Sequence, residues 1–294
     1  MPASWASEGV ADLAERLFAR PSAHDLRHPP RTVRAYGEDR SVGARTVALR
    51  EVLAAATGRI GPPTLYGGAA AGPVVRWRDE RHTVLLDGDA EGLRLAVRPT
   101  AELEAAEAAH FRPAGRTDAT AYHRQLPYLW QLYRGTGTPP LHFPSGPVAG
   151  DWRWLEGSLT ALLRAWWEQL PGQIGADQAG FALVPRERGD RPPATLSVLC
   201  SADEGVLLLV DDRGVPGGTP EPELRARGWR GPLRGWWQRD FHDLGADGAT
   251  AAAALAVAEL RARGVWNPAH LRVADVRCEC GGLLLLPGLA LAGG

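Results

Sequence analysis

Between Trp152 and Leu170, large apolar residues recur at spacings of three and four: Trp152, Leu155, Leu159, Leu162, Leu163, Trp166 and Leu170. This period specifies a long amphipathic α-helix with a broad apolar stripe. Such a stripe must be covered by another layer of structure. The segments that follow supply one. Residues 180–184, 195–201 and 206–210 read as three short strands, and Asp211-Asp212-Arg213-Gly214 as a turn. A short helix is predicted over 221–227 and an Ala-rich helix over 249–263, broken at Gly264. A last hairpin is predicted from 272–280 and 283–286, joined through Gly281-Gly282.

The first half repeats this order. A helix is predicted over 8–19, and a Pro/His/Arg-rich connector over 20–34. A second helix spans 42–57, with Val42, Thr46, Leu49, Val52 and Leu53 on one stripe, and stops at Gly58 and Gly61-Pro62-Pro63. Strands follow at 74–78, 83–86 and 93–98. In the last, Leu93, Leu95 and Val97 alternate with Arg94, Ala96 and Arg98, the period of a half-buried strand. Thr100 caps a helix to about Phe111, with Glu102 and Glu104 near its positive end. Residues 112–150 are dense in Pro, Gly, Thr and Ser around a helix-like apolar insert at 126–133, and read as a linker. The domain boundary falls near residues 144–150, dividing the chain into 1–145 and 146–294. Strands joined by short turns, with helices outside the strand run, predict an α+β fold. Two tandem modules result, each with helices packed on a twisted antiparallel sheet.

Composition narrows the chemistry. The chain contains no lysine, which excludes Schiff-base lysines, P-loop lysines and kinase-type phosphate lysines. Scarce Ile, Asn and Met beside abundant Ala, Gly, Pro and Arg fit a GC-rich genome. A formal net charge of −1, with arginines spread along the chain, argues against a nucleic-acid partner. No apolar run approaches the ~20 residues of a membrane span, and the N-terminal segment lacks the apolar core of a secretory signal. A cytoplasmic protein is expected. Cys200, Cys278 and Cys280 are too few for a disulfide scaffold and suit a reducing compartment.

Local clusters offer little catalytic signal. Cys278 and Cys280 share one face of a predicted strand and read as core. Asp240, His242 and Asp243 form the densest acid–histidine cluster; they read as capping and surface residues, with a metal or general-base site as the alternative. Asp87 and Asp89 read as a hairpin turn. His24 and His28, four apart around Asp25, fall in the connector. No nucleophile elbow, HExxH, GxGxxG or EF-hand loop is present. No metal or cofactor site is predicted.

Eleven tryptophans are present, eight of them beyond residue 150. Trp152 and Trp166 belong to the helix stripe. Trp154 and Trp167 fall off it. Trp236 and Trp237 are adjacent, so on a strand they face opposite sides. The order Leu224, Gly228-Trp229, Pro232, Trp236-Trp237-Gln238-Arg239, the Ala-rich helix, then Val265-Trp266-Asn267-Pro268-Ala269-His270-Leu271 resembles the actinobacterial TY-Chap proteins, relatives of type III secretion chaperones and YbjN. The resemblance covers roughly residues 150–280. It implies helices packed on a twisted antiparallel sheet and binding of a peptide or an extended segment of another protein, without catalysis or cofactor.

The candidate binding residues are Trp229, Trp236 and Trp237, with Arg234 and Arg239 to pair acidic groups on a client. Three functions are open at this point: a peptide- or protein-binding chaperone or adaptor of a secretion or bacterial conflict system, an immunity protein that neutralises a toxin, and a metal-dependent enzyme. The two halves predict either a monomer that pairs its own modules or a homodimer.

Overall fold

A computed structural model describes residues 9–111, 119–135, 148–186, 196–211, 220–242 and 245–292. Among these residues lie eight α-helices and thirteen strands, the strands forming two antiparallel sheets of seven and six. The fold is α+β with two sheet modules, as the order of elements predicts.

The first half contributes α1 (Val10–Ala19), α2 (Ala23–Arg27), β1 (Arg31–Ala35), α3 (Val42–Ile60), β2 (Leu65–Gly68), β3 (Val74–Arg78), β4 (His82–Gly88), β5 (Gly92–Pro99), α4 (Thr100–His110), α5 (Ala119–Gln125) and β6 (Trp130–Tyr133). The alternation in β5 is realised: Leu93, Leu95 and Val97 are fully buried on the inner face, against α1 and the strands beside them. In α3, the Ser41 side chain accepts from the Ala44 N–H, and the helix stops at Gly61, whose φ of 82° suits glycine.

The second half contributes α6 (Trp152–Ile174), β7 (Ala179–Pro185), β8 (Leu196–Ser201), β9 (Gly205–Asp211), α7 (Glu221–Ala226), β10 (Arg230–Leu233), β11 (Trp236–Phe241), α8 (Ala246–Ala262), β12 (Leu271–Cys278) and β13 (Leu283–Leu285). The second sheet has the order β10-β11-β9-β8-β7-β12. The first has the order β1-β5-β4-β3-β2-β6-β13.

That last strand corrects the expected terminal hairpin. β12 and β13 do not pair with each other. β12 pairs with β7, whereas β13 pairs with β6, with Leu284 opposite Leu132. Gly281-Gly282 is therefore a crossover between sheets, and residues 283–285 complete the sheet of the first half. The chain then returns: Ala290 O accepts from Ala149 N at 2.7 Å, and Ala292 bridges to Arg272 of β12. Two apolar strands beside a Gly-Gly pair carry a hairpin signal, but edge availability in the first sheet decided the pairing.

α6 is the layer the two sheets share. Its Asp151 cap accepts from Trp154 N at 2.8 Å, and it ends at Gly175, φ 74°. Trp166 stacks edge-on against Phe181 of the second sheet, ring centroids 5.6 Å apart. From the same helix, Gln173 holds Gly67 of the first sheet by both backbone groups, at 2.9 Å from its N–H and 2.7 Å to its carbonyl. Gln169 donates to Ala69 O at 2.8 Å. This approach needs Gly67 and Gly68. A Cβ at Gly67 would lie 2.8 Å from Trp130 O, and one at Gly68 would collide with the Gln169 side chain.

Two further expectations are corrected. The 20–34 connector contains α2 and β1; Ser22 and Asp25 form a reciprocal capping box that starts α2. The 126–133 insert is not helical: it holds β6, whose Trp130, Gln131 and Leu132 are all buried. A short apolar run has no period to separate strand from helix. Residues 112–118 and 136–147 of the predicted linker and residues 212–214 of the predicted turn lie outside the described residues.

Candidate functional site

The tryptophan block folds as a β10–β11 hairpin on the edge of the second sheet. Arg234 and Gly235 link the strands, with φ of 52° and 86°. Positive φ at both central residues is the tight two-residue hairpin turn, and Gly235 takes it without strain. β11 then lies against β9, with Trp236 opposite Asp211, Trp237 opposite Val210 and Gln238 opposite Leu209.

This register separates the five candidate residues. Trp237 faces the core and is 1% exposed; Trp229 is 2% exposed. Both are core residues and present no docking surface. Arg225 lies over the Trp237 ring, 5.4 Å from its centroid. Arg239 is exposed, but its guanidinium donates to Gly228 O at 2.9 Å and fills the space a Cβ at Gly228 would need. It pins the loop before Trp229. Trp236 and Arg234 remain at the surface. Trp236 is half-buried on the outer face, and Arg234 is exposed at the hairpin tip beside Leu233, itself 63% exposed.

The outer face beside Trp236 carries a strip of leucines set among the polar Asp211, Gln238, Asp240 and Ser197. Strand pairing places Leu209 opposite both Gln238 and Ser197, and Leu207 opposite both Asp240 and Leu199. Leu199, Leu207 and Leu209 are half-buried, while their sequence neighbours Val198, Leu208 and Val210 are fully buried on the inner face. Leu233, opposite Trp236, extends the patch to the sheet edge. The sequence run Val206 to Val210 is continuously apolar, so it carried no sign of a second, open face. Only strand register shows it. Trp266, in the loop after α8, is another surface indole, 73% exposed and 4.4 Å from the His270 ring.

The acid–histidine cluster does not converge. Asp240 forms an ion pair with Arg230, and exposed His242 faces Glu204 O at 3.2 Å through Nδ1. Asp243 lies outside the described residues. His24 and His28 contact edge-on at 4.9 Å, but Asp25 between them is buried and occupied by Arg16 and Arg31, each at 2.9 Å. Asp89 accepts from Glu91 N and Gly92 N, the turn expected of it. Asp87 sits opposite Arg94, and burial pushes its carboxyl above the usual range. Among the described residues no group of three or more His, Cys, Asp or Glu is placed to hold a metal ion.

A cleft of about 580 Å³ runs beside α6 and α5, lined in part by His123, Arg153, Trp154, Thr160 and Glu168. Three acids, Asp151, Glu156 and Glu168, line it beside the His123 imidazole. Glu168 pairs with Arg45 at 3.1 Å and Arg164 at 3.0 Å. The His123 ring lies between Ala119 O and Gly288 O, at 2.5 and 3.1 Å, and burial lowers its pKa.

No described helix is long and apolar enough to cross a membrane. Comparisons with family models, curated proteins and solved structures return no match for this chain.

Proposed function

We propose that the protein is a non-catalytic peptide- or protein-binding chaperone or adaptor, serving a secretion or bacterial conflict system. The observation that carries this reading is the outer face of the second sheet. Trp236, Leu199, Leu207, Leu209 and the exposed Leu233 form an apolar strip on that face, bordered by Asp211, Gln238 and Asp240, with Arg234 at its rim. An aromatic anchor among aliphatic side chains, rimmed by a cation, is the composition of a binding hot spot. The client in this reading is an extended segment with apolar side chains and an acidic group for Arg234. The resemblance of residues 150–280 to the TY-Chap pattern points the same way. The binding surface differs from the one first expected, since Trp236 contributes and Trp229 and Trp237 stabilise the sheet from behind.

Affinity capture on the immobilised protein tests the reading. Wild type is expected to retain a specific client, and Trp236→Ala and Leu207→Glu to weaken it about tenfold or more. Equal recovery on wild type, both variants and blank resin would overturn it. A single tight client whose toxicity is suppressed by co-expression would assign the same surface to an immunity protein.

A further inference from the structure

The crossover from the second sheet to the first carries two thiols. Cys278 ends β12, and Cys280 follows two positions later, before Gly281 at φ 78°. Gly281 N donates to Cys278 O at 3.1 Å, closing a tight turn. Glu279 between them is anchored to Gln178: its N–H donates to Gln178 O at 2.9 Å, and its carboxylate accepts from Gln178 N at 3.2 Å. This fixed turn brings the two sulfurs to 2.8 Å. That is less than ~1 Å beyond a disulfide bond length, so closure needs little movement.

The two thiols differ in surroundings. Cys278 is buried and Cys280 is half-buried, within reach of solvent. Burial pushes Cys280 up, but hydrogen bonds from Cys278, Gly282 N and the Arg134 guanidinium outweigh it and hold the thiol below its ordinary range. Burial pushes the Cys278 thiol up to about 12. Arg134 is held over the Tyr66 ring, 4.7 Å from its centroid. Cys200 is buried in β8, and burial alone pushes it up to about 12. An accessible, cation-paired thiol with a second thiol in contact is the arrangement of a reactive and a resolving cysteine.

We propose that Cys278 and Cys280 are a redox-active dithiol, oxidised to an intramolecular disulfide by low-molecular-weight disulfides. The Cys280 thiolate attacks one sulfur of the oxidant; the oxidant's S–S bond breaks and one thiolate leaves. Cys278 then loses its proton to solvent and attacks Cys280 Sγ, expelling the second thiolate. The protein gives up two electrons and two protons, and the disulfide becomes two thiols. Oxidation also removes the thiol that faces Arg134, at the point where the chain passes between the sheets.

Incubation with oxidised glutathione, read by intact mass and peptide mapping, tests the assignment. Wild type and Cys200→Ser are expected to lose two hydrogens without a lasting adduct. Cys278→Ser is expected to accumulate one glutathione on Cys280, and Cys280→Ser to react at least tenfold more slowly. Phenylarsine oxide is expected to bind wild type one to one and neither single variant. Arg134→Gln keeps both thiols and is expected to slow the first step about tenfold near neutral pH, moving its pH profile upward. Wild type that stays reduced where a free Cys-Glu-Cys peptide oxidises, or adducts that map to Cys200, would overturn the proposal. So would equal modification of Cys278→Ser and Cys280→Ser.

Discussion

The two sheets treat their outer faces differently. The first sheet's outer face is charged and closed where Arg76 and Glu107 meet under α4, while beside them Leu85, Asp87, Ala96 and Arg98 line an open pocket. Arg76 and Glu107 of α4 pair by two contacts, 2.9 and 2.5 Å, with side chains 3% and 8% exposed. Arg78 reaches Glu104 of the same helix at 2.6 Å, and Thr83 meets Thr100 at 2.9 Å. Among the described residues the second sheet's outer face is half open and mixed, with Trp236 and three leucines at intermediate exposure beside Asp211, Gln238, Asp240 and Ser197. The difference lies in cover: α4 closes a buried ion pair onto the first face, and no described helix does the same over Trp236 and the leucines. A charged face under a helix is a structural joint, and an apolar strip left half open is a place for something else to bind.

The largest expected effect falls on the first face. Glu107→Ala leaves Arg76 buried and unpaired, and is expected to cost about 3–5 kcal/mol in urea unfolding. A loss under 1 kcal/mol, of the kind surface ion pairs give, would mean that α4 does not seal the sheet. The adjacent indoles give the sharpest contrast. Trp237→Ala is expected to cost about 3–5 kcal/mol and Trp236→Ala about 1 kcal/mol, because only the first leaves a core cavity. Equal losses would break the assignment of faces in β11.

Acid titration probes the joint at the flank of the first sheet. Burial pushes Asp25 up, but hydrogen bonds from Ser22 and Arg16 outweigh it and hold the carboxyl at about 2. A folded pKa below the unfolded one gives stability that is present above pH ~4 and lost as pH falls toward ~2. With Arg16 partly exposed, about 1–2 kcal/mol is expected to disappear across that window, and Asp25→Asn is expected to flatten it. The smallest effect is Arg234→Ala at the hairpin tip. It is expected to leave stability within about 0.5 kcal/mol and to weaken only client binding.

Much of the fold was legible because its signals are local. The stripe in α6, the alternation in β5 and the turn at Asp89 each need only a few residues of context. The site was less legible. Trp236 and Trp237 are neighbours of one type, and sequence could say that they part company but not which faces out. Leu199, Leu207 and Leu209 went unnoticed because a strand apolar on both faces has no alternation to read. Trp229 and Arg239 were both candidate binding residues, yet one is core and the other holds a glycine carbonyl.

By itself the sequence determined the class of fold, the long helices α3, α6 and α8, the alternation of β5, the lack of lysine chemistry and the turn at Asp89, since these follow from side-chain period, backbone freedom and composition. Tertiary structure alone decided that β13 joins the first sheet, that α6 serves both sheets, that Arg76 and Glu107 close part of one outer face, and that Cys278 meets Cys280. Those outcomes depend on which edges and surfaces remain free after the rest of the chain has packed, and no local pattern encodes that.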